Sequence, residues 1–224
     1  MGLNRPKSIF DSNEFRYFED VEFHVFSFKE YIKITKQTID SELKQKIEEF
    51  HEILKESSEF EIEYRNGWDF AEQEIRIYTL NLYSNSLFIS LYSFLERKLY
   101  QICKVAEKNK SIKINDLSGD GIFKYCNYLK KVLEIDLEKI NSEWVRITNY
   151  NKLRNRIVHS PTNIIEKDKN NKKLIEAIKS IEYLVINDKG AFIEFEINNQ
   201  KLLLNFLNSI TNFLDFIYWE NPLK

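Results

Sequence analysis

A mainly α-helical fold, an antiparallel helical bundle with a small β-hairpin near the C-terminus, is predicted on three observations. Only five glycines and three prolines interrupt 224 residues, so turn signals are scarce. The chain combines 43% hydrophobic with 30% charged residues, the balance of long amphipathic helices. Apolar residues also recur three and four apart over long stretches, the period of a helix that buries one face. A chain of this size buries roughly 70% of its unfolded surface, and a single domain spanning 1–224 is expected.

Taken in order, residues 1–28 form an aromatic-rich N-terminal arm. Within it Val21, Phe23 and Val25 alternate with Glu22 and His24, a period of two that predicts a short strand or an extended arm docked on the bundle. From Lys29 to about Ser57 the period becomes helical through Ile32, Ile39, Leu43, Ile47, Phe50 and Leu54. Ser57 to Gly67 reads as an acidic connection with Gly67 as hinge. The strongest pattern follows between Trp68 and Asn109, a helix so long that a kink or break is expected. Its middle, Leu87 to Leu95, is apolar nearly all round, which predicts burial on both sides. Asp116 to Gly121 reads as a turn that caps a helix from Gly121 to Leu133, with Ile122, Tyr125, Leu129 and Val132 inward. A further helix runs from about Asn141 to His159. An exposed Lys/Asn-rich loop, Glu166 to Lys173, leads to a short helix carrying Leu174, Ile178 and Ile181. The hairpin is expected over 182–197 around Asn187-Asp188-Lys189-Gly190, and a closing helix over 200–219.

Net charge is −2, so any affinity for nucleic acid must come from local asymmetry. Asp40 to Glu74 holds twelve acidic against four basic residues, whereas Asn141 to Lys173 holds eight basic against three acidic. No metal site is predicted. Glu48 and His51 make a lone ExxH pair without the second copy that a di-iron bundle uses. Asp116 to Gly121 starts like a calcium loop, but Asn127 stands at its twelfth position, where a bidentate glutamate is needed. Lys124 stands where a phosphate loop would have its third glycine. Cys103 and Cys126 lack the spacing of a zinc site or a disulfide framework and read as buried thiols. Without an apolar N-terminal segment or a run approaching the ~18 residues of a membrane span, no membrane association and a cytoplasmic location are expected.

The chemistry concentrates in Leu153-Arg154-Asn155-Arg156-Ile157-Val158-His159-Ser160-Pro161, inside the basic segment. At about 100° per residue, Leu153 and Ile157 share one face while Asn155 and His159 point to nearly the opposite side. Arg154 projects between them. Pro161 ends the helix, because the residue before a proline is pushed out of helical geometry. His159 therefore falls in the last turn, where the helix dipole favours a cation. Arginine's planar fork suits phosphate oxygens, and histidine can give or take a proton near neutral pH.

Arg154-Asn155-Arg156-Ile157-Val158-His159 resembles the motif of the HEPN superfamily: an arginine, a polar residue that is often asparagine, three more residues and a histidine. The resemblance extends more loosely from Ser86, through Leu91-Tyr92-Ser93-Phe94-Leu95-Glu96, Gly119-Asp120-Gly121-Ile122 and Tyr128-Leu129-Lys130-Lys131-Val132, to the motif helix. It implies an all-α bundle and, as in many members, a metal-independent endoribonuclease of toxin–antitoxin or phage-defence systems. Two motif helices would meet across a homodimer to form one cleft. Arg154 and His159 would then be catalytic and Asn155 supporting, with Lys152, Arg156 and one or more of Glu96, Arg97 and Lys98 as RNA or phosphate contacts. RNA, a second copy and an antitoxin or sensor protein would be the partners, with no cofactor. Two competing readings stand beside it: a catalytically silent module that binds a nucleotide, RNA or protein through Arg154, and a helical interaction module whose motif is only a hydrogen-bonded helix end.

Overall fold

In the computed structural model, which describes residues 17–55, 61–160 and 162–220, the chain is mainly helical and carries a small antiparallel sheet towards its C-terminus. The first helix, α1 (Tyr17–Lys55), replaces the strand or docked arm expected around Val21 to Val25. The alternating pattern misled because Phe23 is 69% exposed, while the residues that pack are Val21, Val25 and Ile32, spaced four and seven apart. Exposed Phe23 and Phe26 hid a helical period behind an apparent period of two. Residues 1–16 of the expected arm lie outside the described residues.

The second helix, α2 (Glu61–Ala106), passes through Gly67, where a hinge was expected, and continues unbroken to a 3-10 turn at Glu107–Asn109. Its 46 residues correspond to roughly 70 Å. The middle is buried on most sides: Leu87, Phe88, Leu91, Tyr92, Phe94, Leu95, Leu99 and Ile102 are all in the core, and the exposed residues form one stripe, Ser90, Ser93, Arg97 and Tyr100. A helix so apolar can only be accommodated by covering it from several directions. α3 (Gly121–Lys131), α4 (Asn141–His159) and α6 (Gln200–Asp215) supply the cover together with α1. One contiguous cluster of buried residues runs from Val21 to Tyr218.

Three aromatic rings join α2, α4 and α6. Phe206 lies 4.3 Å from Tyr150 and 4.9 Å from Phe88, centroid to centroid, close ring contacts at interplanar angles of 36° and 34°. Ile147 and Leu153 complete the buried face of α4. Its other sides face the short helix Lys172–Lys179, water and the strand that begins at Ile164, apart from the polar contact with α2 described below.

Between α4 and α6, α5 (Lys172–Lys179) buries Ala177 and Ile178. The hairpin strands β2 (Val185–Asp188) and β3 (Phe192–Glu196) flank a turn in which Gly190 has φ +79°. A third strand, β1 (Ile164–Glu166), pairs antiparallel with β3, giving the order β1-β3-β2, with Ile165 opposite Ile193. No periodicity could announce a three-residue strand. Tyr183, expected inside the hairpin, instead sits before β2 with φ 64°. α6 ends in a π-helical turn, Phe216–Glu220.

The turn before α3 contains a steric requirement. Gly121 has φ +53°, and a Cβ there would stand 2.9 Å from Glu96 Oε1. Gly121→Ala is expected to destabilise the fold by ~1–3 kcal/mol, the cost of a non-glycine residue in left-handed geometry. Urea denaturation of both proteins measures the difference.

Candidate functional site

The C-terminal half of α4 carries the motif as the sequence pattern requires. Leu153 is fully buried and Ile157 packs against the core, while Asn155 and His159 are exposed and Arg154 is half-buried between them. Ser160, at φ −126° and ψ 137°, is extended, the geometry favoured before a proline.

Arg154 is held by a closed ring of contacts. Its Nη1 donates to Asn155 Oδ1 at 3.0 Å, and Asn155 Nδ2 donates to Asn151 Oδ1 at 3.3 Å, one turn earlier on the same helix. Asn151 Nδ2 donates to the hydroxyl of Tyr92 on α2. The ring of Tyr92 then lies beneath the Arg154 guanidinium at 5.4 Å, a cation–π distance. Four side chains thus tie the end of α4 to the middle of α2. Arg154 Nε is enclosed without an acceptor, and Nη2 has no hydrogen-bond partner among the described residues. That nitrogen is the side of the fork left for an anion.

Tyr92 is the polar tip in the most apolar part of α2. Burial, chiefly, pushes its hydroxyl up to about 12, with Glu96 adding to the rise, while the Asn151 hydrogen bond and the Arg154 charge oppose it. The phenol is therefore neutral at physiological pH. Because its folded-state value lies above the ordinary value near 10, its contribution to stability is intact below that pH. The contribution is lost as pH rises from about 10 towards about 12.

The remaining sequence-predicted residues divide. Arg156 donates from Nη2 to the carbonyl of Ile164 and so pins β1 to the end of α4, with its Nε enclosed and unpartnered. Lys152 is exposed on α4. Glu96 lies one turn beyond Tyr92, with its carboxylate beside the first residue of α3, where the helix dipole favours an anion. Arg97 and Lys98 turn instead towards α1 and line a groove there with His24. His159 is exposed and makes no hydrogen bond or ion pair with another described residue. Glu48, of the rejected ExxH pair, is exposed and lies 3.6 Å from Lys44; the side chain of His51 lies outside the described residues.

Tyr92 and Asn151 are the site residues that motif reading missed. The available signal was modest: Asn151 and Asn155 repeat at i and i+4 on the motif helix, and Tyr92 carries a hydroxyl within an apolar run. In comparisons with known proteins, no family model, curated protein or solved structure matches the chain.

Asn151→Ala is expected to cost ~1–2 kcal/mol, because it leaves the buried Tyr92 hydroxyl without its donor. A double-mutant cycle with Tyr92→Phe, read by chemical denaturation, should return a coupling of about 1 kcal/mol.

Proposed function

We propose that this chain is a metal-independent endoribonuclease that works as a homodimer, with Arg154 and His159 from two motif helices forming one cleft. The observation that carries the reading is the division of labour at the end of α4. Arg154 is fixed by Tyr92, Asn151 and Asn155 with one guanidinium nitrogen left over, while His159, five residues on, stands open to solvent. A fixed cation and an open proton carrier suit phosphodiester transesterification. The 2′-hydroxyl attacks phosphorus, a base takes its proton, the 5′-oxygen leaves with a proton from an acid, and cationic donors stabilise the charge on the phosphorane.

His159 can serve as base or acid, but one imidazole cannot fill both roles in a single step. Of the other histidines, His24 is on α1 in the groove with Arg97, and His51 is also on α1. A second copy presenting its own His159 supplies the missing group. The basic balance of 141–173 favours an RNA partner at this end of the molecule. The motif's resemblance would imply a toxin–antitoxin or phage-defence setting, where an antitoxin or sensor protein would restrain the enzyme.

Purified protein incubated with RNA in EDTA is expected to give fragments ending in 2′,3′-cyclic phosphate and 5′-hydroxyl. His159→Ala should slow cleavage ~10²–10⁴-fold, the usual worth of a positioned acid or base. Arg154→Lys should also lose activity, because an ammonium cannot reproduce the planar fork. Cleavage by His159→Ala at the wild-type rate would remove the assignment, and intact RNA that is nonetheless bound would favour the silent binding module.

A further inference from the structure

A polar notch opens between α4, α6 and the segment that leaves α5. Among the described residues its polar lining is Arg146, Asn149, Tyr150, Ser180, Glu182 and Asn205. It measures about 40 Å³, room for roughly three water-sized atoms. Arg146 and Asn149 lie roughly 15–20 Å along α4 from His159, so the notch is a different place from the motif.

Tyr150 carries the polar group at its base. Only 3% of the residue is exposed, and its ring is held in the core by Phe88 and Phe206. Its hydroxyl makes no hydrogen bond with another described residue, yet it is not sealed in, and it therefore opens on the notch. Burial pushes this hydroxyl up to about 12, with the Arg146 charge opposing the rise and Glu182 adding to it. The phenol is thus a neutral donor within reach of both charged side chains. The amides beside it have fixed directions: Asn149 Nδ2 donates to Ser180 Oγ at 2.9 Å, and Asn205 Nδ2 donates to Glu182 Oε2 at 3.0 Å. Glu182 Oε1 and Asn205 Oδ1 are left as neighbouring acceptors. Arg146, exposed and without a hydrogen bond or ion pair to another described residue, joins Tyr150 as a donor.

The next residue, Tyr183, holds φ 64°, left-handed geometry that is costly for an aromatic side chain, and such strain gathers at functional sites. Its ring is 48% exposed and lies 5.8 Å from Lys201 Nζ, one turn of α6 before Asn205. An aromatic face therefore stands on the same side of the molecule as the notch, the usual companion of base recognition.

We propose that the notch reads the Watson–Crick edge of a guanine base, with O6 accepting from Arg146 and Tyr150 and with N1–H and the 2-amino group donating to Glu182 and Asn205. Guanine alone among the four RNA bases presents one acceptor followed by two donors on that edge, and its three polar atoms match the room available. Uracil presents a single donor between two acceptors. Adenine and cytosine turn an amino group where guanine has O6, against the donors of Arg146 and Tyr150, and each mismatch leaves a polar group unpaired. Neither cleavage nor a second copy is required. A free nucleotide and single-stranded RNA both present this edge.

Calorimetric titration of the full chain with mononucleotides up to about 10 mM reads the base, since the phosphate is common to all of them. GMP is expected to bind about tenfold or more tightly than AMP or UMP, and inosine monophosphate, which lacks only the 2-amino group, should bind about tenfold more weakly than GMP. Glu182→Gln, at an exposed position, should abolish the preference for GMP over AMP. Tyr150→Phe, which keeps the ring, should weaken GMP about threefold or more. Single-stranded oligonucleotides containing one guanine, or adenine in its place, identify the source when titrated into His159→Ala protein: a guanine preference there assigns the site to RNA, and a preference confined to mononucleotides assigns it to a free nucleotide. Absence of GMP binding, equal affinity for AMP or inosine monophosphate, or undiminished GMP affinity in Glu182→Gln or Tyr150→Phe would each overturn the proposal.

Discussion

The structure depends on burying the middle of α2. From Leu87 to Ile102 the helix buries apolar side chains on all sides but one exposed stripe, Ser90, Ser93, Arg97 and Tyr100, and water must be excluded from the rest. α1, α3, α4 and α6 each take part of that surface, and the Phe88, Tyr150 and Phe206 rings fix where α4 and α6 meet it. The position of the motif follows from this packing. Once Tyr150 and Leu153 are buried, Arg154 must emerge at the margin and His159 must clear the core.

Tyr92 is where the apolar rule is relaxed, and its hydroxyl decides what surrounds it. A buried phenol needs a partner, and Asn151 supplies one from α4. Asn151 in turn orients Asn155, and Asn155 orients Arg154, whose positive charge rests on the face of the ring that began the chain. The arginine's direction is therefore inherited from the core. His159 has no such tether among the described residues, which suits a group that must exchange protons with solvent and substrate. The two motif residues thus differ in mechanical character as well as in chemistry.

Much of this was legible in the sequence where one period dominated. The long α2 from Trp68 onward, the limits of α4 at Asn141 and His159, the turn at Gly190 and the closing helix follow from three-and-four spacing, a proline and a glycine, whereas the first turns of α2, from Glu61, were read as an acidic connection. The start of α1 was not legible, because exposed Phe23 and Phe26 imitated alternation and hid Val21, Val25 and Ile32. β1 is too short to carry a pattern, and its place depends on β3, nearly thirty residues later. At the site, the motif gave Arg154, Asn155 and His159 but not what holds them. Arg156, read as a phosphate contact, has a guanidinium nitrogen committed to Ile164, and Arg97 and Lys98 belong to the α1 side of α2. Such partnerships cross the fold, and spacing along one helix does not encode them.

The central claim is that the cleft is made by two copies of α4. Spin labels on Thr162→Cys, an exposed position just past the helix end, test it directly by pulsed electron paramagnetic resonance. Cys103 and Cys126 are buried and should remain unlabelled. Two motif helices packed against one another, with axes about 8–10 Å apart, should give a single short inter-label distance that persists on dilution to working concentrations. A monomer without dipolar coupling, or a dimer whose labels lie on remote surfaces, would contradict the composite site.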